Sequence, residues 1–279
     1  MSKLQFNTSR RTLALALCVM PLALLGTVAV AQERLRVTGT GSGTGGMQLV
    51  MAAFLRANPG VQGEVLPVLG STGSIRAVID GKIDLAVSNR VPNDKERAMA
   101  PLQSVAYART ALVIAVHKDL GVTSITSDQL AGLYAEGGGN FPNGRRARPV
   151  LRLSDAPDTA IVKSFSPAGA TAVDAASTRR GLLDASTDSE AADLIERTPG
   201  AFGASTLALI DSEKRPLRAL AIDGVMPSAA TLASGQWKQQ KPLFMVLPDK
   251  PSALAQKFSA FVRSAEGRRI LLAAGHAEP

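Results

Sequence analysis

The chain has one cysteine, Cys18, and two histidines, His117 and His276. A lone thiol forms no internal disulfide, and two distant imidazoles supply neither a multi-histidine metal site nor a histidine-based catalytic triad. Aromatic residues make up only 4% of the sequence, and the scattered Trp237 and Phe244 read as core packing. A nucleic-acid reader would concentrate basic charge and interleave aromatics. The only dense basic cluster here is Arg145, Arg146 and Arg148 in a Gly/Asn-rich stretch. It reads as a solvated loop, so no nucleic-acid partner is expected. The triplets Gly-Lys-Ser and Gly-Lys-Thr are absent, which removes the phosphate-binding loop of nucleotidases. No internal repeat, heptad or low-complexity tract is visible. Neither a cofactor, a metal nor a catalytic residue is expected.

What is present begins with an export pattern. Lys3, Arg10 and Arg11 precede an apolar run over residues 13–25, and Ala29-Val30-Ala31 supplies small residues for cleavage. An uncleaved anchor would need the same apolar run, but Pro21 and Gly26 interrupt it. Ser9-Arg10-Arg11-Thr12-Leu13 also resembles a twin-arginine signal, so both export routes fit. Cleavage would place the mature start at Gln32, in the periplasm, and discard Cys18. The remaining 248 residues carry 28 basic and 23 acidic side chains, a net charge of +5. That length buries roughly 70–75% of the unfolded surface without a staple.

The mature sequence alternates strand-like and helix-like periods. Residues 35–38, 62–69 and 83–87 read as strands, 47–55 and 75–79 as helices, which is α/β in class. A long apolar run over 105–116, interrupted by Arg109 and Thr110, suits a strand passing from one lobe into another and is the candidate hinge. The alternation continues with helices at 127–133, 157–165 and 189–197 and a strand at 150–153, and the apolar runs 202–209 and 217–222 close this section. A final strand, 243–247, and helices at 252–263 and 267–274 would return the chain to the first lobe. The expected lobes are therefore 32–113 with 240–279, and 114–239.

Three segments at strand ends are rich in glycine and hydroxyls. Thr38-Gly39-Thr40-Gly41-Ser42-Gly43-Thr44-Gly45-Gly46 lies between the first strand and the first helix, Gly70-Ser71-Thr72-Gly73-Ser74 precedes the second helix, and Ser88-Asn89-Arg90 follows the third strand. Glycines aim backbone N–H groups outward, hydroxyls add donors, and a helix N-terminus adds unpaired amides, so such segments favour an anion. Gly41, Gly43 and Gly46 match the dinucleotide fingerprint in form, but the next strand ends in no ribose-binding acid. Taken singly, each segment is also a hydroxyl-capped helix start or a linker. Their succession at carboxyl ends of strands points to convergence on one small anion.

These segments, with Asp84-Leu85-Ala86-Val87-Ser88-Asn89 and Arg197-Thr198-Pro199-Gly200-Ala201-Phe202-Gly203, resemble the phosphate ABC transporter substrate-binding proteins (PstS-like) of the type 2 periplasmic binding protein superfamily. Residues 130–134 and 150–159 continue the likeness. The resemblance implies a two-lobed α/β fold, each lobe a mixed sheet flanked by helices, that closes as a monomer on phosphate or a related oxyanion and delivers it to a membrane ABC permease. It also implies ligands at Ser42, Gly43, Thr44, Ser71, Thr72, Asn89 and Arg90 in the first lobe, and at Arg152 and Thr159 in the second.

The chain departs from that pattern in places that bear on the anion. Phosphate-binding members carry aspartate where Asn89 stands, and an amide can instead donate to a proton-free oxyanion. The Ser-Gly-Thr cradle of the family aligns with Pro157-Asp158-Thr159, and its arginine falls on Leu153, one place from Arg152. Pro157 deletes a donor and Asp158 puts negative charge where an anion should sit. Asp155 and Asp158 could instead cap a helix. Arg90 offers a planar fork to an oxyanion or is simply an exposed arginine. Two other classes remain: a periplasmic sensor or adaptor that keeps the fold with a lost or changed phosphate site, and a hydrolase using Ser42 or Ser71, which lacks a histidine partner. On the export reading, N-terminal sequencing of periplasmic protein gives Gln32 as the first residue; protein retained in the membrane with residues 13–31 attached contradicts it.

Overall fold

Strand and helix alternate along the chain much as the changes of period require. The computed structural model describes residues 34–154 and 156–279, so the export pattern and Asp155 lie outside the described residues. The chain enters through β1 (Arg34–Gly39), α1 (Gly41–Ala57), β2 (Gln62–Val65), α2 (Gly70–Ile79), β3 (Leu85–Ser88) and α3 (Asp94–Met99). The long β4 (Leu102–His117) leads to β5 (Ser124–Ile125), α4 (Ser127–Tyr134), β6 (Arg148–Arg152), α5 (Pro157–Lys163) and α6 (Pro167–Ser177). Then come β7 (Leu183–Ala185), α7 (Asp188–Arg197), β8 (Ala201–Thr206), α8 (Leu207–Ser212), β9 (Leu217–Ala219), β10 (Ala221–Ile222) and α9 (Ala229–Ala233). The chain closes with β11 (Gln240–Pro248), α10 (Ala253–Val262) and α11 (Ala265–Ala273). Among the described residues no helix is long and apolar enough to cross a membrane.

A mixed sheet runs through the molecule in the order β2-β1-β3-β11-β4-β8-β6-β7, with β9 also on β4. It is parallel over β2-β1-β3 and over β8-β6-β7, and antiparallel where β11 and β4 join them. Strand β4 belongs to both halves: residues 102–111 pair with β11 and residues 112–116 with β8. Residues 111–116 are buried throughout, the continuous apolar run of a strand covered on both faces. The change of partner falls between Ala111 and Leu112, inside the expected hinge run. There the Trp237 indole N–H donates to the Leu112 carbonyl at 3.0 Å, which satisfies the one polar group of this buried ring. One core lies around Phe54 and Phe258, rings 5.2 Å apart, and a second around Tyr134 and Phe202, rings 4.9 Å apart.

The structure moves several expected boundaries. The glycine-rich run is not a loop ahead of the first helix: α1 begins at Gly41 and contains Gly41, Gly43, Gly45 and Gly46, none with positive φ. Their role is close packing, since a Cβ on Gly43 would strike the Val87 side chain and one on Gly46 would lie 2.5 Å from His276 Cε1. Helix α2 likewise starts at Gly70, whose φ of +70 makes the turn into it, rather than at Ile75. The run 202–209 divides, because the Thr206 hydroxyl accepts from Leu209 N at 3.2 Å and starts α8; short apolar runs do not distinguish strand from buried helix. Helices α3, α6 and α9 and strands β5 and β7 have no counterpart among the expected elements.

His276, packed against α1, is a buried imidazole. Its Nδ1 lies 3.1 and 3.0 Å from the carbonyls of Leu271 and Ala274 and so carries the ring proton. Burial pushes its titration down from 6.5 to about 4. The unfolded chain therefore takes up the second ring proton, the one at Nε2, at a higher pH than the folded one. His276's contribution to stability is complete above about pH 6.5 and is lost as pH falls toward 4, by about 3 kcal/mol. Urea-unfolding free energies of the wild type should decline across that window, and His276→Asn should flatten the decline. Equal slopes would contradict the assignment.

Candidate functional site

Parallel strands deliver their following loops and helix N-termini to one edge, and here both halves do so toward each other. The carboxyl ends of β1, β3, β6 and β7 meet at a cleft of about 630 Å³ whose wall includes Ser71, Thr72, Asn89, Arg90 and Arg152. The Ser71 hydroxyl accepts from the Asn89 backbone N–H at 3.0 Å, which ties the start of α2 to the end of β3.

The same cleft is also lined by a largely buried charge cluster built from both halves, Arg152, Asp158, Asp188 and Lys241. Lys241 Nζ, on β11, sits 2.5 Å from Asp158 Oδ1 and 3.0 and 3.1 Å from the two oxygens of Asp188. Arg152, at the end of β6, lies 3.4 Å from each of the same two aspartates and donates to the Ser186 carbonyl at 3.3 Å. Asp188 Oδ2 also accepts from Ser42 N at 3.1 Å, at the first turn of α1. The single Thr40 hydroxyl proton is within reach of Asp188 Oδ2 at 3.0 Å and Asn89 Oδ1 at 2.8 Å, so it serves one of them at a time. The Ser42 hydroxyl reaches Asn89 Oδ1 at 3.1 Å.

Two cations and two carboxylates leave this cluster formally neutral. Burial alone would push the Asp188 carboxyl up, but Lys241 and Arg152 hold it well below the usual carboxylate range. At Asp158 burial outweighs the pull of Lys241, and Asp188 adds repulsion, so its carboxyl is raised. For Lys241 burial would favour loss of the proton, and Asp188 and Asp158 together reverse this and keep it charged. Such a cluster survives only with every member in place, because each charge has lost its water.

The sequence-derived residues fall into separate groups. Ser71, Thr72, Asn89, Arg90 and Arg152 share the cleft wall. Ser42 lies just beneath it, holding Asp188 and Asn89. The amides of Gly43 and Thr44 donate to the Thr40 carbonyl at 3.0 and 3.1 Å, so they serve the helix and not the cleft. Thr159 is buried and its hydroxyl donates to the Leu153 carbonyl at 2.8 Å.

Three expectations about particular side chains change. The Arg90 fork closes on Glu96 at 2.7 and 2.8 Å and holds that carboxyl below its usual range. It also donates to the Thr72 hydroxyl at 3.0 Å. The Asn89 amide donates to the Pro242 carbonyl at 3.1 Å, while its oxygen takes the hydroxyl donors. Asp158 is no solvated helix cap; it is the buried partner of Lys241 and Arg152.

Asp188 and Lys241 are absent from the sequence-derived set. An acid in a helix's first turn looks like ordinary dipole compensation, so Asp188 carries no signal of its own. Lys241 does: it stands two residues before the buried Leu243 in a strand, and a lysine on a buried register position demands an acidic partner. Among the described residues no group of three or more His, Cys, Asp and Glu side chains could hold a metal ion. Lys241→Met would leave two buried carboxylates facing one cation. It should cost about 3–5 kcal/mol in urea unfolding; a loss under ~1 kcal/mol would mean the pair is solvated.

Residues 26–266 match the model of a PBP superfamily domain. The phosphate-binding protein PstS of Bacillus subtilis (strain 168) is 26% identical over 249 residues, which covers 88% of this chain and 81% of the relative. A Clostridium perfringens structure described as a phosphate ABC transporter substrate-binding protein with bound phosphate superposes with a TM-score of 0.71 at 18% identity, covering 88% of this chain and all of that one. The periplasmic molybdate-binding protein of Azotobacter vinelandii gives a TM-score of 0.61 at 14% identity, with 88% and 99% covered. At such identities the structures speak to fold, a two-lobed α/β architecture. The family match spans most of the sequence, and the chain therefore belongs to the PBP superfamily.

Proposed function

We propose that the chain is a periplasmic solute-binding protein that captures a small oxyanion, phosphate or a chemical relative, between two lobes and passes it to a membrane ABC permease. The observation that carries this reading is Arg152. Its side chain is only 9% exposed and its Nη1, itself closed off from solvent, has no hydrogen-bond partner, in a residue that lines the cleft with Ser71, Thr72 and Asn89. A buried guanidinium donor without an acceptor is costly, and an oxyanion oxygen is the acceptor it fits best.

The relatives support the same class, since two are named for phosphate and one for molybdate. On this reading residues 1–31 direct export and are removed, residues 32–113 with 240–279 form one lobe and 114–239 the other, and the protein acts as a monomer. Catalysis has no place in it. A second reading, a periplasmic sensor or adaptor that keeps the fold, draws support from the charge balance: Asp158 and Asp188 already match Arg152 and Lys241, so a dianion meets no net positive field.

A thermal-unfolding series of the protein with phosphate, sulfate, molybdate and arsenate separates the two. An oxyanion at 100 times its dissociation constant should add about 2.7 kcal/mol. Stabilisation by at least one oxyanion supports binding, and a flat response to all four supports the adaptor.

A further inference from the structure

The charge cluster joins elements that lie on opposite sides of the crossing in β4. Thr40, Ser42, Asn89 and Lys241 belong to elements on the β11 side, and Arg152, Asp158 and Asp188 to elements on the β8 side. Every bond that Asp188 makes with Ser42, Thr40 and Lys241 therefore crosses between halves, and so does the Asp158–Lys241 pair. The side chains of Lys241, Asp158 and Asp188 are 4–5% exposed. Water does not compete with these bonds as it does at a surface pair.

The backbone is shaped for the same contact. Thr187 caps α7 by accepting from Glu190 N at 3.1 Å, which fixes Asp188 at the first position of that helix. A Cβ on Gly41 would lie 2.5 Å from Ser189 Oγ and 3.1 Å from Asp188 Cβ, so the glycine lets the start of α7 approach the start of α1. The Asp188 carboxylate then takes a helix N-terminal amide, a hydroxyl, an ammonium and a guanidinium. That is the donor set an oxyanion would require.

We propose that Arg152, Asp158, Asp188 and Lys241 form an ionic latch that joins the two halves directly, with Asp188 acting as an internal anion on the α1 donors that an external oxyanion must displace. The latch stands without any ligand assignment; the displacement rests on the oxyanion reading above. It makes Asp188 a specificity-determining residue, because a solute gains those donors only by replacing a carboxylate already bound to them.

Spin labels at Lys95→Cys and Ala160→Cys, two exposed positions on opposite halves, in a Cys18→Ser background, report the separation of the halves. In oxyanion-free buffer the wild type should give one narrow distance distribution and Asp188→Asn a second, longer population. Thr40→Val, a milder change of nearly the same shape, should give a smaller fraction of the same population and serves if Asp188→Asn does not fold. Distributions identical to wild type in the folded variants would overturn the latch. In parallel, calorimetric titration with phosphate, sulfate and molybdate should show Asp188→Asn binding at least one of them tenfold or more tighter than wild type. Unchanged or weaker binding would overturn the displacement. A longer distance population with no oxyanion bound by either protein would uphold the latch and refute the oxyanion reading, whereas oxyanion binding with unchanged distances would do the reverse.

Discussion

Burying the ammonium of Lys241 is the constraint around which the cleft is arranged. A lone ammonium taken out of water costs several kcal/mol even after relaxation, so Lys241 can stay charged only with carboxylates beside it. Asp158 and Asp188 supply them, and two aspartates in one dry space in turn require Arg152. Satisfying the remaining lone pairs then recruits Thr40, Ser42 and, through them, Asn89. One chain of necessity thus connects β11, β6, the starts of α5 and α7, the start of α1 and the end of β3. A cluster of this kind is weak evidence for stability, because apolar side chains of the same volume often do as well. Its value lies in geometry: it fixes how the two halves meet.

The same cluster explains how a chain of this superfamily can carry donors suited to an anion without a surplus of positive charge. Arg90 is balanced by Glu96, and Arg152 with Lys241 by the two aspartates. On the oxyanion reading, what an entering solute meets is directional: the hydroxyls of Ser71 and Thr72 on the wall, and the unpartnered Nη1 of Arg152 only once that side chain shifts toward it. Recognition by oriented donors in a nearly neutral cleft discriminates by shape and protonation more than by total charge.

The class and the course of the fold were legible because they rest on local periodicity. The apolar run over 105–116 announced β4, and the hydroxyl-rich segments marked the strand ends that meet at the cleft. Ser71 and Asn89 stood out because their segments are unusual in composition, whereas Arg152, in an ordinary strand, entered only through the resemblance to the PstS-like proteins. The failures share one physical cause, the distance in sequence between partners. Asp188 and Lys241 are 53 residues apart and Thr40 and Asp188 are 148 apart, and no local pattern encodes either pair. Asp158 was visible but read as a helix cap, since its partner Lys241 was not in view. The glycine-rich run was read as anion-aiming backbone, whereas within α1 it mainly admits Val87, Tyr107 and His276 at close range.

On the oxyanion reading, the anion binds in the cleft against Arg152, Ser71 and Thr72 and competes there with Asp188. Anomalous scattering at the molybdenum edge from crystals equilibrated with molybdate tests this directly, since the heavy atom marks its own position. One strong peak should stand in the cleft within hydrogen-bond reach of the Arg152 guanidinium, with the Asp188 carboxylate withdrawn from Ser42 N. No peak in the cleft at saturating molybdate, with Asp188 still seated on α1, would contradict it.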